Sequence, residues 1–220
     1  MKHILLCCLG LFAFAARADL VMQQQIASGK NSSAVTIKVK GTRIRVDMYA
    51  GQPQAISTIK DLKNGETLML LHKQKMFIKQ PGEQIRPATG VVLPKVRSTG
   101  KKEKLGGYDT EIYTWTNARG ITGFFWVARN YPDYSRIKTE IAALDNTASG
   151  LSDGLTPALS TLPGMVLKTQ ITGGEQTLTV TLVSAREGQL DASTFQAPVN
   201  YRPLRLTKPQ WAPRLGFSWD

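Results

Sequence analysis

The stretch TIKVKGTRIRVDM, residues 36–48, alternates apolar and polar positions almost without a break. Ile37, Val39, Ile44, Val46 and Met48 fall on one side, with Lys38, Lys40, Arg43, Arg45 and Asp47 on the other. A period of two marks a strand with one buried face, and Gly41-Thr42 predicts a two-residue hairpin loop. That loop pairs Val39 with Ile44, Ile37 with Val46 and Lys38 with Arg45. A second hairpin, ETLMLLHKQKMFIKQ, is expected to turn near Lys73-Gln74 and to set Leu71 against Met76 and Met69 against Ile78. Its other face is apolar too, with Leu70 opposite Phe77, so cover is expected on both sides of the sheet there.

Two more hairpins follow a Pro- and Gly-punctuated stretch from Pro81 to Gly107. YDTEIYTWTNARGITGFFWVAR is expected to fold back at Asn117 to Gly120, and MVLKTQITGGEQTLTVTL at Gly173-Gly174. The latter turn would place Leu167 opposite Val180 and Met165 opposite Leu182. Between them the spacing predicts a helix from Asp133 to Ala148, with Ile137, Ile141 and Leu144 on its stripe and Lys138 and Glu140 off it. A short helical turn is expected next, capped by Thr156, with Pro157 in first position and Leu159 and Leu162 inward. Many strands, a helix and more strands give an α+β, β-rich class: an antiparallel sheet curled around one or two helices.

The chain opens MKHILLCCLGLFAFAARADL, a basic start, an apolar run and the small-x-small site Ala16-Arg17-Ala18. Residues 1–18 therefore read as a secretory signal cleaved near Ala18, too short for a spanning helix of ~20 apolar residues. Periplasmic or secreted localisation follows. Cys7 and Cys8 are the only cysteines and both lie in that leader, so the mature chain has no disulfide, thiol nucleophile or Cys-ligated zinc. Net charge is +12, and removing Lys2 and Arg17 with the leader leaves +10. Outside the cytoplasm such a balance points to anionic lipid surfaces or acidic glycans rather than nucleic acid, or to simple solubility.

The catalytic inventory is sparse. His72 is the one histidine beyond the leader and reads as a solvent-facing turn residue between Leu71 and Lys73. Asp109 and Glu111 alternate on one strand face, with no nucleophile or acid–base partner implied nearby. There is no Gly-rich phosphate loop or G-x-S-x-G elbow. No enzyme activity, catalytic residue, metal or cofactor is expected. Lys38, Lys40, Arg43 and Arg45 are candidate contacts for an anionic headgroup, and Lys101-Lys102-Glu103-Lys104 forms a second basic run. The plainer reading is a charged face that blocks edge-to-edge strand pairing.

LPGMVLKTQITGGEQTLTVTLVSAREGQLDASTFQAPVNYRPL, with Leu162-Pro163-Gly164, Asp191, Phe195, Pro198 and Tyr201, resembles the closing segment of uncharacterised secreted bacterial proteins related to the outer-membrane lipoprotein carriers LolA and LolB. KVKGTRIRVDM, KEKLGGYDTEIYTWT and FFWVARNYPDY resemble that group as well. The likeness spans residues 20–204. It implies an open antiparallel half-barrel over residues 19–204, with helices across the concave side and an apolar cavity that in the carriers holds acyl chains. It also implies an arginine latch for the helical lid, for which Arg43 or Arg45 is the candidate. The tail at 205–220, with Trp211, Phe217 and Trp219, has no counterpart in that group.

Two functions stay open. One is non-enzymatic binding of an acyl chain, lipid or lipoprotein in a cavity lined by Ile37, Val39, Ile44, Val46, Met48, Met69, Leu71, Met76, Ile78, Leu167 and Val180. The other is a structural or envelope-interaction protein whose barrel is filled by its own side chains. Methionines such as Met22, Met48, Met69 and Met76 serve both equally well.

Overall fold

A computed structural model describes residues 19–49, 56–82, 93–152, 156–174 and 176–204. The expected leader and the aromatic tail lie outside them. The strands before the helix are β1 (Asp19–Ser28), β2 (Asn31–Lys40), β3 (Arg43–Tyr49), β4 (Ile56–Asp61), β5 (Thr67–Leu71), β6 (Met76–Gln80), β7 (Arg97–Leu105), β8 (Tyr108–Thr116) and β9 (Thr122–Ala128). Helix α1 (Tyr134–Ser152) follows, then β10 (Met165–Gly173), β11 (Gln176–Gly188) and β12 (Arg202–Pro203). Together they form one twelve-stranded sheet in the order β12, β6, β5, β4, β3, β2, β1, β11, β10, β9, β8, β7. Every described pairing is antiparallel except β12 with β6.

The sheet is open and curls. Ile44 on β3 and Tyr108 on β8 pack in or against one apolar cluster, although six strand spacings separate them in the sheet order. On a flat sheet, at ~4.8 Å per spacing, that is ~29 Å, a span that the curl of an open half-barrel shortens around one cluster. Helix α1 fills the trough. Ile137 and Ile141 are 1% and 3% exposed and meet Leu20, Met22, Val39, Ile44, Ala128, Met165 and Leu167, each such burial being worth ~1.5–3 kcal/mol. A second cluster of Trp115, Phe125 and Val127 is sealed by Leu162, just after a short 3-10 turn at Leu159–Thr161.

The opposite, convex face has its own cover. After β11 the chain crosses back over β3 to β6 as a strap, residues 189–204. Phe195 is buried on Ile59 and Leu70, with Leu190, Ala197 and Tyr201 beside it. The strap ends as β12 along the edge of β6, where Leu204 N–H donates to the Phe77 carbonyl at 2.7 Å. This is the cover expected over Leu70 and Phe77.

The hairpins at Gly41-Thr42 and Lys73-Gln74 have the expected registers. Four details differ. β10 and β11 pair with Thr169, not Leu167, opposite Val180, and Gly173 opposite Gln176. The turn therefore lies one residue later than expected, and Gly174 carries the positive φ of +59° that such a turn requires. Thr156 is not the cap of the 3-10 turn; the Asp145 carboxylate of α1 accepts from Leu159 N and Ser160 N at 2.7 and 2.9 Å. Glu140 is buried, because it follows Ile137 by three residues and shares its face. His72 is half-buried and hydrogen-bonded at both ring nitrogens rather than turned to solvent.

Candidate functional site

Strand registers turn the concave face of β3 to β6 into a grid of three rows. The first row is Met48, Ile56, Leu71 and Met76; the second is Val46, Thr58, Met69 and Ile78; the third is Ile44, Lys60, Thr67 and Gln80. Two rows are almost wholly apolar. Yet Met48, Ile56, Met69, Leu71, Met76 and Ile78 belong to none of the three packed clusters. Met48 is 45% exposed and the other five are half-buried. Helix α1 lies over β1 and β2, so among the described residues it leaves this wing of the trough uncovered. The grid is ~14 Å across its four strands and ~14 Å along them, and its two apolar rows take up ~7 Å of that length.

The expected lining residues thus separate into groups. Val39, Ile44 and Leu167 are core under α1, and Ile37 and Val46 pack at its margin. Met48, Met69, Leu71, Met76 and Ile78 share the open wing. Val180 is on the concave face as well, but opposite Ile26 in the other half of the sheet. Ile56 was missed because the strand that carries it follows no alternating pattern in ISTIKD.

The four candidate headgroup cations lie on the convex face, behind this lining, and each has a carboxylate partner. Lys38 and Arg45 contact Asp47 at 2.9 and 2.6 Å, Lys40 contacts Asp19 at 2.8 Å and Arg43 contacts Asp61 at 3.6 Å. Two of them also fasten the strap: Lys40 donates to Leu190 O at 2.7 Å and Arg45 to Thr194 O at 2.8 Å. Arg45 does latch a cover, but it is the convex strap and not a helical lid. A shallow pocket of about 270 Å³ beside the strap is lined by Arg43, Ile59, Asp61, Glu66, Leu68 and Phe195, and its acids already pair with Arg43 and Lys79.

Residues 19–201 match the family described as "Domain of unknown function (DUF4412)". The chain belongs to that family. No curated protein sequence matches it. In structure the DUF4412 chain is similar to an uncharacterized conserved protein from Thermus thermophilus, at 9% identity and a TM-score of 0.56, over 87% of this chain and 92% of that one. It is also similar to the Pseudomonas aeruginosa MucA/MucB complex structure, at 12% identity and a TM-score of 0.47, over 86% and 59% of the two chains. A LolA superfamily protein from Nitrosomonas europaea is matched at 12% identity and a TM-score of 0.32, over 83% and 91%. The first of these likenesses shows a shared fold.

The DUF4412 chain also holds a polar network that its sequence did not advertise. Asp47, fully buried, accepts from Lys38, Arg45 and Ser57. Desolvation is the largest influence on its carboxyl and pushes it up, but hydrogen bonds from Ser57, Arg45 and Lys38 and the Arg45 charge outweigh it and hold the group below its ordinary value. Because the Ser57 proton goes to Asp47, Ser57 Oγ accepts from His72 Nε2 at 2.7 Å. Burial and the Arg45 charge favour the neutral imidazole, in which the proton stays on Nε2 and His72 Nδ1 accepts from the Tyr201 hydroxyl at 2.6 Å. Ser, His and Asp meet here, yet not as an activated nucleophile. Ser57 is fully buried and gives its proton to the carboxylate, which does not orient the imidazole. Among the described residues no group of three or more His, Cys, Asp or Glu could hold a metal ion.

The network ties β3, β4 and the β5–β6 turn to the strap, and it makes a prediction. Burial, the larger cause, and the Arg45 charge lower the His72 pKa, with Asp47 opposing. A base with a depressed folded pKa stabilises the fold fully above its unfolded value of ~6.5, and loses that contribution as pH falls below it. Tyr201→Phe should cost about 1 kcal/mol in urea unfolding at pH 7.5, and His72→Gln should flatten the decline of stability below pH 6.5. A Tyr201→Phe variant as stable as wild type would mean that Phe195 burial alone holds the strap.

Proposed function

We propose that this protein binds an apolar ligand, an acyl chain, against the open wing of its half-barrel, without catalysing a reaction, in the periplasm or outside the cell. One observation supports the reading most: six apolar side chains, Met48, Ile56, Met69, Leu71, Met76 and Ile78, share one concave face and enter no packed cluster among the described residues. A contiguous uncovered apolar face on a soluble domain is a site for an apolar partner. Each methylene it takes from water contributes ~0.8 kcal/mol, and the three methionines give the surface an adaptable shape. A half-barrel filled by its own side chains describes the other wing, where α1 buries Leu20, Met22, Val39 and Ile44. The two wings divide the trough between stability and binding.

The test is saturable uptake of hexadecanol by the delipidated full-length protein, followed by titration calorimetry. Met69→Asp combined with Leu71→Asp should weaken uptake by tenfold or more, on the order expected for charge set in an apolar site. Because both positions are half-exposed, the melting temperature should move little. Absence of saturable uptake by folded wild-type protein would discard the binding reading.

A further inference from the structure

The grid on the concave face contains a single charge. Of its twelve positions on β3 to β6, eight are aliphatic or methionine, Thr58, Thr67 and Gln80 are neutral polar, and the twelfth is Lys60. Lys60 sits in the third row, between Ile44 and Thr67, at the end of the apolar rows rather than among them. It is half-buried. Among the described residues no carboxylate pairs with it, although every cation of the convex hairpin has one.

We propose that Lys60 is the headgroup contact of the open wing, and that the ligand held there is a single-chain fatty carboxylate. This rests on the binding reading above and names its ligand class. The geometry meets a demand that Lys38, Lys40, Arg43 and Arg45 do not: the cation must stand on the same face as the surface that takes the chain. One half-buried ammonium without a counter-charge complements one carboxylate, and the chain runs from there over the second and first rows, along the strands for ~14 Å. Thr67 is directly opposite Lys60, with Cβ atoms ~5 Å apart in such a pair, so its hydroxyl can donate to the same carboxylate. Burial supplies the affinity. The charge supplies direction, because it fixes which end of the amphiphile lies at the third row.

Hexadecanoate and hexadecanol have the same chain and differ in the headgroup, so together they separate the two contributions. Titrations of the delipidated full-length protein with each, below micellar concentration, should give about three- to tenfold tighter binding of hexadecanoate, between the values of exposed and buried charged contacts. The preference should shrink in high salt. Lys60→Met keeps an apolar stem of similar length, and should equalise the two ligands by weakening hexadecanoate. Lys60→Glu should invert the preference. Equal binding of both ligands by the wild type, or a preference that survives Lys60→Met, overturns the assignment of Lys60 while the apolar reading stands. A diacyl phospholipid that binds tighter than hexadecanoate overturns the single-chain carboxylate. Loss of binding of both ligands by the wild type removes the underlying reading instead.

Discussion

Ile141→Asp should unfold the protein or leave it barely stable, with a loss of about 3–5 kcal/mol. Ile141 is 3% exposed and packs with Ile137 against strands from both halves of the sheet, among them Leu20 on β1, Val39 on β2 and Leu167 on β10. A carboxylate there would be desolvated inside an apolar cluster, where it must either take up a proton or expel the helix. Helix α1 is also the one described α-helix in the trough, so its expulsion exposes the floor beneath it. Lys138→Asp, three residues away on the exposed side, is the control and should change stability by less than ~0.5 kcal/mol. Urea unfolding followed by far-ultraviolet circular dichroism checks both. An Ile141→Asp protein melting within a couple of degrees of wild type would show that the helix does not cover the trough.

The parts of this fold that were legible in the sequence are those encoded by neighbours. The 36–48 hairpin could be read to the residue because the alternation and the Gly41-Thr42 turn specify the same register. In the β10–β11 hairpin the pattern is apolar and threonine on both sides, so a two-residue slip costs nothing in pattern and leaves every face unchanged. That is why the turn was misplaced while the inward set survived. The β1–β11 pairing joins Asp19 to Gly188, and no local signal encodes such a contact. His72 illustrates the same limit at the level of one side chain. Its partners, Ser57 and Tyr201, stand 15 and 129 residues away, and only the strap brings the second within reach. The concave face was legible in composition, but which of its residues α1 covers was not. Alternation identified Val39 and Met48 equally, and only the position of α1 makes one of them core and leaves the other 45% exposed.

Removing the Asp47 carboxylate should be nearly as damaging as a charge in the trough. Asp47 is fully buried, and Arg45 and Lys38, which donate to it, have side chains only 11% and 25% exposed. Asp47→Ala would leave two cations with little water and no counter-charge, a loss of about 3–5 kcal/mol for a broken buried pair. Asp47→Asn keeps Oδ1, which accepts from Ser57 and Arg45, and should lose less, although its amide NH2 replaces the oxygen that accepts from Lys38. The pH dependence follows from the depressed carboxyl. Asp47 contributes its full stabilisation above the unfolded value of ~3.9 and loses it as pH falls through the lower folded value. Wild-type stability should therefore fall steeply on the acid side, and the Asn variant should show a shallower acid limb. The decisive comparison is a rescue: Lys38→Met and Arg45→Met placed on Asp47→Ala should recover part of the loss, because an apolar replacement of a whole buried ion cluster is close to neutral. Recovery will be incomplete, as Arg45 also donates to Thr194 O and holds the strap. If Asp47→Ala alone unfolds within ~1 kcal/mol of wild type, the cations find water when their partner is gone, and the strap is not sealed over them.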